Sequence, residues 1–175
     1  STGTANFGAG YGSDGLSGFF ELSHNNLFGK NWRTNVKWEF GKTSQDVEIG
    51  FTEPYLMGKP ILAGGSVYHT FRKWTDSNYK VKQMGFSLRG GALFRLLDYS
   101  RFQLIYSYYL KDYDYIDSSE EDLENTSQAV IDYVNRGEVY SSTVGCSFVR
   151  DSREDIFMPS EGSNTSMLFE IAGGW

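Results

Sequence analysis

Between Trp32 and Phe40 the chain alternates without a fault. Trp32, Thr34, Val36, Trp38 and Phe40 are apolar or β-branched, and Arg33, Asn35, Lys37 and Glu39 between them are charged or carry an amide. Successive side chains of a strand point to opposite faces, so this run specifies a β-strand with one apolar and one polar face. The same period recurs along the chain: Ala5, Phe7, Ala9 and Tyr11; Leu16, Gly18, Phe20 and Leu22; Val47, Ile49 and Phe51; Met84, Phe86 and Leu88; Phe102 through Leu110; Tyr140, Ser142, Val144, Cys146 and Phe148; Met167, Phe169 and Ile171. From Ile61 to Lys73 the alternation is poorer, and Gly64-Gly65 predicts a bend or bulge. The pattern predicts about nine strands of roughly 8–14 residues in up-and-down order.

The connections differ by side. Gly12–Gly15, Gly41–Gln45, Trp74–Asn78 and a long acidic segment from Asp112 fall at one end. Asn25–Asn31, Phe51–Pro60, Leu93–Arg101 and Arg150–Gly162 fall at the other, and they are apolar, aromatic or proline-containing. The stretch Phe51–Pro60 holds two prolines and a glycine, which stop a strand. Its Tyr55, Leu56 and Met57 call for an apolar or interfacial neighbour. The acidic segment, 112–137, reads as a loop carrying a short helix. Leu123, Val130, Ile131 and Val134 share one helical face, Ser118 or Ser119 caps the start and Gly137 ends it.

A soluble sandwich turns its apolar face inward, whereas a membrane barrel turns it to lipid and keeps a polar lumen. The long strands, the strongly charged polar face and aromatics near strand ends (Tyr11, Trp32, Tyr55, Trp74, Tyr79, Tyr99, Tyr113, Tyr115) favour the membrane barrel. No stretch is long and apolar enough for a membrane-spanning helix. Ser1–Asn6 lacks the basic and apolar regions of a signal peptide, the expectation for a mature or excised portion. Single-chain bacterial barrels close with an even strand number, so about nine strands read as part of a barrel.

Chemistry has little support in the residues. His24 falls at a turn and His69 in a strand. Cys146, the one cysteine, lies on an apolar face without a histidine at suggestive spacing. No phosphate loop or metal-ligand cluster is present, and the acidic segment lacks the spacing and central glycine of a calcium loop. The expectation is a protein without enzymatic activity, metal or cofactor. A net charge of −6 argues against nucleic acid as partner. Asn125-Thr-Ser and Asn164-Thr-Ser match glycosylation acceptors, a pattern common by chance.

Four blocks, in order, carry a resemblance. They are Gly8-Ala-Gly-Tyr-Gly-Ser13, Asn25-Asn-Leu-Phe-Gly-Lys-Asn31, Phe51-Thr-Glu-Pro-Tyr-Leu56, and Asp151-Ser-Arg-Glu-Asp155 followed by Phe157-Met-Pro-Ser-Glu-Gly162. Together they resemble the first half of the barrel of the Omp85 superfamily, and within it the outer-membrane protein insertases. Asn31 stands where that motif often has glycine. The resemblance implies an all-β, antiparallel up-and-down transmembrane barrel of about sixteen strands, of which 1–175 forms the first half. It implies a bacterial outer-membrane location with the acidic loop extracellular. The turn residues Phe51, Thr52, Glu53, Pro54, Tyr55, Asp151, Arg153, Asp155, Pro159 and Gly162 would then be periplasmic.

The resemblance also implies a working part. The first strand, Thr4, Ala5, Asn6, Phe7, Gly8, Ala9, Gly10 and Tyr11, would pair with the terminal strand of an unfolded barrel client through backbone groups. The implied partners are outer-membrane lipid, client proteins, POTRA domains and accessory lipoproteins, and the remaining barrel strands. A secretion pore of the same superfamily or a passive channel shares much of the pattern. The glycines of the first strand also admit a plainer reading, relief of crowding in a curved sheet. Asp151, Arg153 and Asp155 read as an ion-pair cluster ordering their turn.

Overall fold

The computed structural model describes residues 3–13, 15–75, 78–93, 98–116, 127–155 and 160–173. Among them, nine strands form one sheet: β1 (Gly3–Gly12), β2 (Gly15–Leu27), β3 (Trp32–Phe40), β4 (Ser44–Glu53), β5 (Ile61–Trp74), β6 (Tyr79–Leu93), β7 (Ser100–Tyr115), β8 (Val139–Asp151) and β9 (Asn164–Gly173). Each pairs antiparallel with its neighbours in chain order, β1 to β9. A 3₁₀ turn, Leu56–Gly58, precedes β5, and a helix, α1 (Gln128–Arg136), precedes β8.

The register aligns the alternating residues into two continuous faces. On the apolar face Met84 pairs with Leu110 and Leu110 with Tyr140; at the other end Ala92 pairs with Phe102 and Phe102 with Phe148. Three successive strands therefore carry apolar bands of equal length in direct register, 84–92, 102–110 and 140–148. The band ends abruptly. Beyond Met84 and Leu110 come Lys82 opposite Asp112 and Lys80 opposite Asp114; beyond Phe102 and Phe148 comes Ser100 opposite Arg150. Nine residues at about 3.3 Å each, inclined at about 40°, rise about 20 Å, close to the lipid-facing band of a barrel.

Nothing in the described chain covers this face. Phe7 is 82% exposed, Phe169 and Ile171 each 67%, and the only buried apolar residues among those described are Val81 and Val130. A sheet that leaves its whole apolar face open has lipid as its fitting solvent. The opposite face is polar and internally paired. Arg72 donates Nη1 to Asp46 at 2.8 Å, Lys37 meets Glu39 at 2.7 Å, Ser66 and Ser87 bond at 2.9 Å, and Gln83 donates to the Tyr68 hydroxyl at 3.0 Å.

Several expectations from the sequence are corrected. Gly64 and Gly65 keep unbroken register with β4 and β6. They are there for room: a Cβ on Gly64 would lie 2.9 Å from the Phe51 carbonyl and the Thr52 hydroxyl, and one on Gly65 3.1 Å from Leu88. The register irregularity instead falls between His24 and Leu27 on β2, where the Asn26 amide donates to His24 Nδ1 at 3.1 Å. The acidic segment starts later than expected, because β7 runs to Tyr115. Asp112 and Asp114 oppose Lys82 and Lys80, and the Lys80–Asp114 pair closes to 2.8 Å. Opposite charges in direct register support strand pairing. The described helix starts after Ser127; Ser118, Ser119 and Leu123 lie outside the described residues, and Gly137 ends the helix, at φ 69. Tyr133 of α1 stacks on Tyr113 of β7 at 5.0 Å, and Val130 is buried.

Candidate sheet edge and turn motifs

β1 has no partner on its outer side among the described residues, as is true of β9 at the far edge. Its pairing with β2 runs without interruption from Gly3 opposite His24 to Gly12 opposite Gly15. An antiparallel edge strand presents one row of free N–H and C=O groups. Thr4–Tyr11 lies wholly within this strand, and every residue of it except Gly8 is exposed. Phe7 and Tyr11 stand out from the apolar face at 82% and 85% exposure.

The three glycines of the strand differ in role. A Cβ on Gly8 would come 2.7 Å from Cε1 of Phe19, whose ring lies over it from β2, whereas Gly10 and Gly12 have nothing within 4 Å. Gly8 therefore relieves crowding, and Gly10 and Gly12 do not. On the polar face a hollow of about 450 Å³ lies beside the edge, lined by Gly8, Gly10, Ser17, Phe19, Glu39 and Ser44. A strand with so little side-chain packing on one face is weakly held.

The turn at Phe51–Tyr55 is tied to both faces. Phe51 meets Trp32 edge-on at 5.5 Å, and the Thr52 hydroxyl accepts from Arg89 Nη2 at 3.2 Å. Glu53 ends β4 opposite Ala63. Pro54 and Tyr55 line a groove of about 410 Å³ together with Arg33, Leu62 and Arg101. Those three belong to the polar face by register, whereas Ala92 and Phe102, which also line the groove, belong to the apolar one, so the groove lies at the rim where the two faces meet, and Tyr55 stands there half exposed. Met57, at 91% exposure, is the residue that projects.

After β8 the described residues 151–155 and 160–164 are held together by side-chain and backbone bonds. Arg153 grips Asp151 with two bonds, Nε to Oδ1 and Nη2 to Oδ2, each 2.8 Å. Asn164 adds a bond to Oδ2 at 3.1 Å, which engages the side chain of the second glycosylation-type triplet. The hydrogen bond from Arg153 is the main cause holding the Asp151 carboxyl at about 2, well below its ordinary range. The chain closes through Ser152 N–H to the Ser163 carbonyl at 2.9 Å and Glu154 N–H to the Glu161 carbonyl at 3.3 Å. Gly162 sits at φ 91, and a Cβ there would strike the Ser152 carbonyl. Asp155 lies in the same turn; Pro159, Phe157 and Met158 fall outside the described residues, as does Asn125.

Sequence reasoning missed one relationship. Leu27-Phe28-Gly29-Lys30 and Leu56-Met57-Gly58-Lys59 are one local structure used twice. Phe28 and Gly29 take φ 55 and 72; Met57 and Gly58 take 53 and 74. Gly29 and Lys30 donate to the carbonyls of Asn26 and Leu27, and Gly58 and Lys59 to those of Tyr55 and Leu56, all at 3.1–3.3 Å. The signal was the repeated order of leucine, a large apolar residue, glycine and lysine. Among the described residues no group of three or more histidine, cysteine, aspartate or glutamate side chains is arranged to hold a metal ion.

Comparison with known proteins converges on one family. Residues 26–175 match the Omp85 superfamily domain. Outer envelope protein 80, chloroplastic, of Arabidopsis thaliana is 43% identical over 44 residues, which is 25% of this chain and 6% of that protein. The crystal structure of BamA from Haemophilus ducreyi lacking POTRA domains 1–3 superposes with a TM-score of 0.58 at 20% identity, over 98% of this chain and 34% of that one. The chain thus spans about a third of that structure, and at this identity the likeness is one of fold.

Proposed function

The chain belongs to the Omp85 superfamily, and from that premise we propose that it is a section of an outer-membrane barrel that folds and inserts other β-barrel proteins, with Thr4–Tyr11 as the edge that receives the client. The observation carrying this reading is β1 itself: an exposed strand paired on one side only, with a hollow beside it where Gly8 and Gly10 bring no side chain. A client's terminal strand adds by main-chain hydrogen bonds, which do not depend on side-chain identity and so suit many clients. The work is done by pairing and desolvation, without a covalent step, a metal or a cofactor. Lipid covers the apolar face. The remaining barrel strands, POTRA domains and accessory lipoproteins are the other partners. In a bacterial outer membrane, the loop carrying α1 faces outside and the Phe51–Tyr55 and Asp151–Gly162 turns face the periplasm.

Two measurements on the full-length protein in lipid vesicles test the proposal. The first is the folding rate of an added barrel client, expected to rise when the protein is present. The second is disulfide trapping with cysteines at Thr4, Asn6 and Ala9, expected to capture the client's terminal strand in a register that moves with the cysteine. A protein that conducts ions or passes unfolded chains without speeding client folding is a pore, and the insertase reading is then abandoned.

A further inference from the structure

The two Leu-Φ-Gly-Lys turns place apolar tips where the fold does not need them. Phe28 is 80% exposed and Met57 91%, yet both hold a left-handed backbone that bulky side chains disfavour. Asparagine would adopt it with less strain and keep the tip polar. The turns are neighbours at one end of the sheet. Between them, Trp32 and Phe51 meet on the apolar face at 5.5 Å. The Lys30 ammonium stands 4.6 Å over the Trp32 ring, Lys59 is exposed, and Glu53 is the opposing charge between the two turns. The tips thus lie at the end of the sheet where Trp32 and Phe51 border the lipid-facing band, and each carries a cation two residues further on.

We propose that this rim binds anionic phospholipid: Phe28 and Met57 enter the boundary between headgroups and acyl chains, and Lys30 and Lys59 pair with headgroup phosphates. An apolar tip followed by a snorkelling cation fits that boundary. Their place beside the apolar band favours lipid over a protein partner. The inference rests on the barrel's place in a membrane and not on client insertion.

The test uses the full-length protein in vesicles of equal phosphatidylcholine and phosphatidylglycerol, with the ratio of retained lipids read by native mass spectrometry. K30Q/K59Q is expected to lower the phosphatidylglycerol preference by roughly fivefold per lysine. F28N/M57N is expected to lower retention of both lipids while its melting temperature in detergent stays level or rises. An unchanged lipid ratio in K30Q/K59Q overturns the proposal. So does a lower detergent melting temperature in F28N/M57N, since the tips would then pack on protein. A co-purifying protein lost from both variants, with retained lipid unchanged, also overturns it. None of these readouts depends on client folding.

Discussion

Val144→Arg tests the membrane reading most directly, because the register fixes its depth. Val144 lies midway along the band 140–148 on β8, opposite Tyr106 on β7 and Ile171 on β9, and is 46% exposed on the apolar face. Four residues separate it from either end of the band, about 13 Å along the strand and about 10 Å in depth at a strand tilt near 40°. That places it at the midplane, where an arginine on the lipid face costs about 2–4 kcal/mol; at the interface the cost falls to about 0–1 kcal/mol. The expected loss is roughly 30- to 1,000-fold in the folded-to-unfolded ratio for V144R, and less than about tenfold for Y140R. Thr143→Arg, one residue away, faces the polar side between Ser107 and Ala172 and should cost little. The assay is urea unfolding of the full-length protein in vesicles, followed by tryptophan fluorescence. Equal losses for V144R and Y140R would refute the argument, because a protein layer packed on this face would give no depth gradient. Equal losses for V144R and T143R would refute the assignment of faces.

Other outcomes follow from the same geometry. Gly8→Ala should destabilise the full-length protein, since the Phe19 ring must move off a Cβ 2.7 Å away, whereas Gly10→Ala meets open space and should be neutral or stabilising by up to about 1 kcal/mol; equal effects in thermal melting would contradict the different roles of these glycines. Cys146 pairs with Leu104 and Phe169 on the lipid face and should react faster with an apolar maleimide than with a charged one in vesicles, the reverse of a cysteine placed at Thr143. The Asp151 carboxyl, lowered to about 2 by the Arg153 hydrogen bond, stabilises its turn above the ordinary carboxylate range near pH 4, and that contribution fades as pH falls towards 2. Hydrogen exchange of the Ser152 amide should therefore hold steady from pH 7 to about 4 after correction for intrinsic rates and lose protection below that, and Asp151→Asn should abolish the pH dependence.

The strands and their order were legible because period two is a strong signal and each strand pairs with its neighbour in the chain. What escaped the sequence had physical reasons. The end of β7 was hidden because its alternation changes sense: Tyr113 and Tyr115 continue the polar-face positions while Asp112 and Asp114 take over the apolar ones, matched by Lys82 and Lys80 on another strand. Gly64-Gly65 was misread because a glycine pair looks the same whether it marks a bulge or makes room for the Phe51 carbonyl and Leu88. In the turn after β4 three apolar residues follow one another, and only the left-handed backbone at Met57 decides that it projects while Tyr55 joins the groove with Arg33. The β1 edge was legible as an alternating glycine-rich strand; that Gly8 alone is crowded depends on where Phe19 lies across the ladder.

A sheet with two buried apolar residues among those described has no interior of its own. Its hydrophobic free energy is released only on contact with lipid, so strand order and bilayer entry are two descriptions of one event. In water, backbone bonds alone cannot offset the conformational entropy of nine long strands. The described sheet has no core that could form ahead of the bilayer. The membrane's thickness therefore acts as a term in its folding equilibrium.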